Sequence, residues 1–312
     1  MSKPPIDLNL LKLSDLDMRP SKVAAEMLGK PWRPGGSLNQ FVASLPRVLA
    51  ADDLRAAAAA VIAARKADRP VMLAMGAHVI KVGLSPLIID AMERGFITGL
   101  AFNGAGVIHD TEMALAGRTS EDVAEALADG SFGTARQTGE FINTAVAAEP
   151  EAGLGLAVGR ALVQAAPNCV SVSLLAAAAR LDLPATVHVS IGADIIHMHP
   201  SFDGAATGQA SHVDFRRFTA QVAELKNGVF FNVGSAVMMP EVFLKALSAA
   251  RNLGHEVKDF TTINLDMIRH YRPMTNVVTR PVLTGGRGIN ITGHHEINLP
   301  LLLAMIGEGL AA

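Results

Sequence analysis

The chain has 312 residues, half of them hydrophobic, with 27 basic and 29 acidic side chains and a formal net charge of -2. That is enough apolar material for one large buried core, and the near-neutral balance argues against a nucleic-acid backbone or an anionic membrane as partner. A single cysteine, Cys169, excludes an intrachain disulfide framework and fits a reducing compartment.

Met1-Ser2-Lys3-Pro4-Pro5 carries no apolar run behind its charge, and no run of about 20 uninterrupted apolar residues follows, so neither a secretory signal nor a membrane span is predicted and a cytoplasmic protein is expected. Residues 1–50, with Pro20, Pro31, Pro34 and Gly35-Gly36, read as an arm packed on a body or on a neighbouring subunit. Residues 51–312 read as one domain in which helix and strand alternate. Asp52 to Lys66, with five consecutive alanines, predicts a helix stopped by Pro70, and Val71 to Met75 predicts a strand ending at Gly76. Pro86 to Arg94 predicts a helix and Ile97 to Phe102 a strand, followed by the loop Asn103-Gly104-Ala105-Gly106 and helical sequence through Ala116.

Helices are expected over Ser120–Leu127, Leu154–Ala165 and Ser171–Leu181, the last closed by Pro184, and then a strand over Ala185–Val189. Asp214–Lys226 is amphipathic and ends at Gly228. Val229–Val233 predicts a strand, Pro240–Asn252 a helix with proline in its first turn, Phe260–Asn264 a strand and Leu299–Ile306 a closing helix. Short apolar strands between helices predict an α/β fold: a Rossmann-like, mostly parallel sheet covered on both faces.

Ligands of such sheets bind beyond the carboxyl ends of the strands. The residues there are Gly76-Ala77-His78, Asn103 to Gly106 with His109-Asp110, Ser190 to Asp194, Gly234-Ser235 and Asn264-Leu265-Asp266. The glycines at 104 and 106 would let backbone approach a phosphate beside a helix N-terminus or simply make a tight strand-to-helix turn, and His109 stands where a dinucleotide fingerprint has its third glycine. Gly153, Gly155 and Gly159 follow an acidic loop and read as helix-packing glycines. Among ten histidines, His197 and His199 would share one face of a strand and His294-His295-Glu296 adds potential ligands, so a zinc hydrolase using His78, His109, Asp194, His197 and His199 is an alternative; no pair has metalloprotease spacing. No Gly-x-Ser-x-Gly elbow occurs, and Cys169, opening an apolar helix, reads as core.

The strand-end segments resemble the deoxyhypusine synthase family, NAD-dependent transferases that move the aminobutyl group of spermidine onto a protein lysine. Phe102-Asn103-Gly104-Ala105-Gly106-Val107-Ile108-His109-Asp110 resembles that family's Thr-Thr-Ala-Gly-Gly-Val-Glu-Glu-Asp, and Leu183-Pro184-Ala185 through Gly192-Ala193-Asp194 its Ile-Pro-Val-Phe strand and following Gly-Asp. Val233 to Val237, Ile263-Asn264, Arg272-Pro273 and Leu299-Pro300-Leu301-Leu302 follow in family order, so the likeness covers residues 70 to 305. It implies a homotetramer and NAD held by His78, Asn103, Gly104, Gly106, Gly234, Ser235 and Asp266, with Asp194 in the substrate site.

The departures matter as much. Thr279-Arg280-Pro281 stands where the family carries its imine-forming lysine, and neither arginine nor proline can form that imine. The family's polyamine-binding glutamate corresponds to His109, and its Ser-Asn cofactor pair to Ala77-His78. The expectation is therefore an enzyme of this fold with altered chemistry, acting on a small amine with NAD, His109 as acid/base and Asp194 as its partner, but not making deoxyhypusine. A non-catalytic binding protein is the remaining alternative; its sign would be a crevice filled by side chains.

Overall fold

The computed structural model describes residues 3–311. Met1 and Ser2, the start of the segment expected to lack a secretory signal, lie outside the described residues. The chain divides into two compact units, Met1–Asp52 and Asp53–Ala312.

Short apolar runs of the second unit become β1 (Val71–Met75), β2 (Gly99–Asn103), β3 (Ala185–His188), β4 (Val229–Val233) and β5 (Phe260–Asp266). With β6 (Gly286–Thr292) they form a six-stranded sheet in the order β3-β2-β1-β4-β5-β6, every pair parallel. The strand order reverses between β1 and β4, which is where open α/β sheets leave a crevice.

Helices cover both faces. Residues 49–66 form a helix across the unit boundary, rich in alanine on the side it buries, and residues 295–311 form another that tolerates Pro300 inside it. Leu73 and Phe231 face Val61, Leu299 and Leu302 of these two helices. On the opposite face Met72, Ala74 and Phe230 pack against Phe218, Phe243 and Leu247, from helices over Gly204–Ala223 and Met238–Asn252. Aromatics are few, yet four buried phenylalanines meet here. Phe230 and Phe243 stack at 3.7 Å, with Phe218 and Phe260 edge-on at either side. Rings in contact add about 1 kcal/mol per pair beyond their burial.

β6 and the helix over Arg136–Ala148 are among the elements the sequence does not announce. β6 contains Gly286, Arg287 and Gly288, and only Ile289 and Ile291 of its seven residues are buried, so no apolar run announces it. Its Gly288 is needed because a Cβ there would lie 1.8 Å from the Val278 carbonyl oxygen, in a turn of π-helix over Met274–Thr279. The helix over Arg136–Ala148 is polar along much of its length and lacks a strong start signal. Three expectations are corrected. The segment Gly104–Gly106 is not a loop, because Asn103 caps a helix that starts at Gly104. Cys169 does not open a helix; it precedes a 3-10 turn over Val170–Val172, and the helix begins at Leu174 behind Ser173. His197 and His199 lie in and just after a 3-10 turn over Ile195–Met198, so they do not share a strand face.

The glycines of the acidic-loop segment do pack elements together. A Cβ on Gly155 would lie 2.2 Å from the Ala185 carbonyl oxygen, and one on Gly159 would lie 2.6 Å from that of Leu175.

The first unit, considered by itself, holds three 3-10 turns and a helix over Leu38–Ser44, whose Ser37 and Gln40 form a capping box. Leu8, Leu10, Leu13, Leu16 and Met18 are all more than two-thirds exposed.

Candidate functional site

α1 denotes the helix over Leu38–Ser44, α2 that over Leu49–Lys66, α3 the turn His78–Lys81, α4 Ser85–Glu93 and α5 Gly104–Ala116. Because all strands run parallel, the expected site residues share one edge of the sheet. Neighbouring strands are spaced about 5 Å apart, and the residues gather into two clusters along that edge.

The first cluster is built on α5. The Asn103 side chain accepts the Gly106 N–H at 3.0 Å, so Asn103 is spent in part on capping the helix. Gly104 has no side chain because Asp194 lies against it: a Cβ would meet both carboxylate oxygens at 2.0 and 2.5 Å. Asp194 accepts the Ser190 N–H at 2.8 Å. Burial pushes its carboxyl above the ordinary value, opposed by that N–H and by the nearby His197.

One turn further, Ala105, Ile108, His109 and Glu112 occupy one face of α5, as their spacing requires, and line a cavity of about 190 Å³ shared with Asp194. His109 Nδ1 lies 2.5 Å from the Thr119 hydroxyl, whose proton goes to Glu112 Oε2. The Thr138 hydroxyl donates to the other Glu112 oxygen at 3.2 Å. Burial raises the Glu112 carboxyl, but the hydrogen bonds from His109 and Thr119 and the His109 charge outweigh it and hold Glu112 below the usual range.

This chain of donors has a consequence for the imidazole. With its own proton committed to Glu112, the Thr119 oxygen can only accept from His109, so Nδ1 carries the hydrogen and Nε2 keeps its lone pair in the neutral ring. A carboxylate that orients a histidine through one hydroxyl leaves the far nitrogen free to take a proton. Glu112 stands three residues after His109, a spacing that could have flagged it; Thr119, beyond the Gly117 helix end, carries no such signal.

The second cluster lies at the strand-order reversal. Gly76 follows β1 and Gly234 follows β4, and a Cβ on Gly76 would lie 2.3 Å from the Gly234 carbonyl oxygen. Gly234 has φ 65°, a region that favours glycine. A Cβ on it would lie 2.8 Å from His295 Nε2. His295 is the first residue of the C-terminal helix, 1 % exposed, and neither ring nitrogen has a hydrogen-bond partner. Its ring is 5.7 Å from that of His78, and burial pushes its pKa down while Asp266 opposes the shift.

The structure thus brings His78, Gly234 and Asp266 together with His295, and Asn103, Gly104 and Gly106 together with His109 and Asp194. Ser235 is placed differently: it is buried and its hydroxyl accepts the Met239 N–H, capping the helix over Met238–Asn252. The zinc alternative does not fit. Among the described residues no three His, Cys, Asp or Glu side chains gather around a common point, and His199 is turned to Ser201 at 2.7 Å. At the position of the family's lysine, Arg280 bonds Asn276 at 3.0 Å and Pro281 is buried.

The class these features define is an α/β protein with a Rossmann-type parallel sheet and its polar clusters at the strand ends. No protein-family model and no curated protein sequence matches the chain. Solved structures do. A deoxyhypusine synthase from Entamoeba histolytica superimposes with a TM-score of 0.52 at 10% identity, covering 90% of this chain and 96% of its own. A LOR/SDH protein from Methanococcus maripaludis S2 gives 0.53 at 19% identity, covering 83% and 69%. AgrE, solved as a ternary complex with ornithine and NAD+, gives 0.51 at 13% identity, covering 83% of this chain and 32% of its own. The chain likewise spans about a third of ArgZ, an arginine dihydrolase from cyanobacteria. At these identities the likeness establishes the fold, and it is deoxyhypusine synthase-like and LOR/SDH-like.

Proposed function

We propose that this chain is an enzyme that removes a proton from a small amine at His109 Nε2, with a nicotinamide cofactor bound along the same sheet edge. The observation that carries this reading is the His109–Thr119–Glu112 relay opening onto a cavity that Asp194 also lines. The cavity is not filled by side chains, which speaks against a protein that kept only the fold. At about 190 Å³ it is smaller than pockets for drug-sized ligands, so a dinucleotide belongs elsewhere.

The reversal point suits a polar ligand: Gly76 and Gly234 let two backbones approach, and the His295 ring nitrogens lack partners. His78, Gly234, His295 and Asp266 would hold NAD there, with Asn103, Gly104 and Gly106 alongside; bound there, it would supply the acceptor for a hydride from the carbon bearing the nitrogen. His109 takes the N–H proton, Glu112 stabilises the imidazolium formed, and Asp194 pairs with the ammonium of the incoming amine. Support also comes from the fold shared with a protein solved with ornithine and NAD+. Without a lysine at 279–281, deoxyhypusine formation by imine exchange has no nucleophile.

The test is a spectrophotometric screen for NADH production with NAD and a panel of primary amines, followed by His109→Ala. Turnover should fall by at least about 10²-fold; a variant with full activity removes His109 from the mechanism.

Self-association is part of the same proposal. The exposed leucines of residues 8–16 would be covered by packing on a body or on a second subunit.

A further inference from the structure

The cavity beside His109 has a second charged feature that the acid/base reading leaves unused. Lys81, the last residue of α3, lines it. Among the described residues the Lys81 ammonium has no carboxylate partner, although Glu112, Glu121 and Asp194 line the same space. The three acids are each anchored elsewhere: Glu112 by Thr119 and Thr138, Glu121 by the Gly133 N–H at 2.9 Å, and Asp194 by the Ser190 N–H. The anchors fix where the negative charge sits and leave Glu121 Oε2 and Asp194 Oδ1 without a hydrogen-bond partner among the described residues, while the lysine stays free. A wall with more carboxylates than cations selects a cation, and an unpaired ammonium at its rim selects an anion.

One ligand can satisfy both. We infer that the His109 cavity takes a small diamino carboxylate, an amino acid with a second amino group, whose carboxylate is held by Lys81 and whose ammonium groups face Asp194 and Glu121. Ile108, Val123, Phe132 and Ile195 supply apolar surface for the methylene chain between the charged ends. The inference rests on the amine reading above and adds to it Lys81 as the residue that reads the carboxylate.

Calorimetric titration of the full chain tests it with two matched pairs: L-ornithine against putrescine and L-lysine against cadaverine, each diamine being the amino acid without its carboxylate. At least one amino acid should bind ten times or more tightly than its diamine. Lys81→Gln should bring that ratio near one by weakening the amino acid alone, and Lys81→Arg should retain it, which separates lost charge from a misfolded protein. A diamine that binds as tightly as its amino acid overturns the carboxylate inference and leaves the amine reading standing. So does a preference that survives Lys81→Gln. Failure of all four ligands to bind the native chain overturns both.

Discussion

At the scale of single residues, chemistry is decided by how hydrogen-bond donors are used up. His109 stands out in the sequence only by its place at the family's polyamine-binding glutamate; the role proposed for it rests on Thr119 standing between it and Glu112. Glu112→Gln preserves the shape of the side chain but removes the charge that would stabilise the imidazolium. It is expected to lower kcat by about 10²-fold with KM little changed, as read from initial rates with the amine found in the screen. An equal rise in KM would instead make Glu112 a binding group. Gly104 is the matching backbone requirement, since any side chain there displaces the Asp194 carboxylate. Two glycines at this turn are visible in the sequence, where they suit either a phosphate or a tight strand-to-helix turn; in the structure Gly104 also makes room for a carboxylate of the chain itself.

At the scale of elements, two buried aspartates tie helices to their neighbours, one to the sheet and one to another helix. Asp214 of the helix over Gly204–Ala223 accepts N–H groups from Gly155 and from Val187, each at 2.8 Å. Val187 lies on β3, an edge strand, so this carboxyl occupies a donor that an edge would otherwise present to another chain. Burial pushes Asp214 up to about 7, against those hydrogen bonds and Arg217. Asp110 caps the helix that starts at Leu174 through Ser173, Leu174 and Leu175, and burial pushes it up to about 6. A carboxyl whose folded pKa exceeds its unfolded value binds its proton more tightly in the folded state. Its contribution is complete below about pH 4 and is lost as pH rises through 6 to 7. The native chain should therefore lose thermal stability between pH 5 and pH 8, and Asp214→Asn should flatten that decline. Calorimetric melting at the two pH values decides it; an unchanged slope in the variant would take Asp214 out of the account.

At the scale of the whole molecule, the exposed apolar side chains of residues 8–18 sit badly with a protein that remains alone in water. Light scattering should show an oligomer, with a tetramer as the resemblance implies, and the pair Leu11→Glu and Leu13→Glu should lower the mass. A native monomer would refute self-association through the arm. Among the described residues no helix is long and apolar enough to cross a membrane.

What the sequence by itself determined was the alternation of elements and the list of polar residues at strand ends. Buried parallel strands are short apolar runs, and the residues after them are polar wherever a ligand or a cap needs them. It also determined what is missing, since the absence of a lysine at 279–281 requires no structure. Only the tertiary structure decided which of those residues meet. The approach of Thr119 to His109, of Lys81 to the cavity, and of His295 to Gly234 across 61 residues depends on helix packing and strand order. β6 was hidden for a related reason: its glycines are there for close backbone approach, which propensity counts as a break. The histidines show the limit most plainly. Their number suggested a metal, but their side chains are spread over separate turns, with His109 turned to a threonine, His199 to a serine and His295 buried beside His78 at the reversal of the sheet. Composition counts ligands; only the fold brings them to one point or keeps them apart.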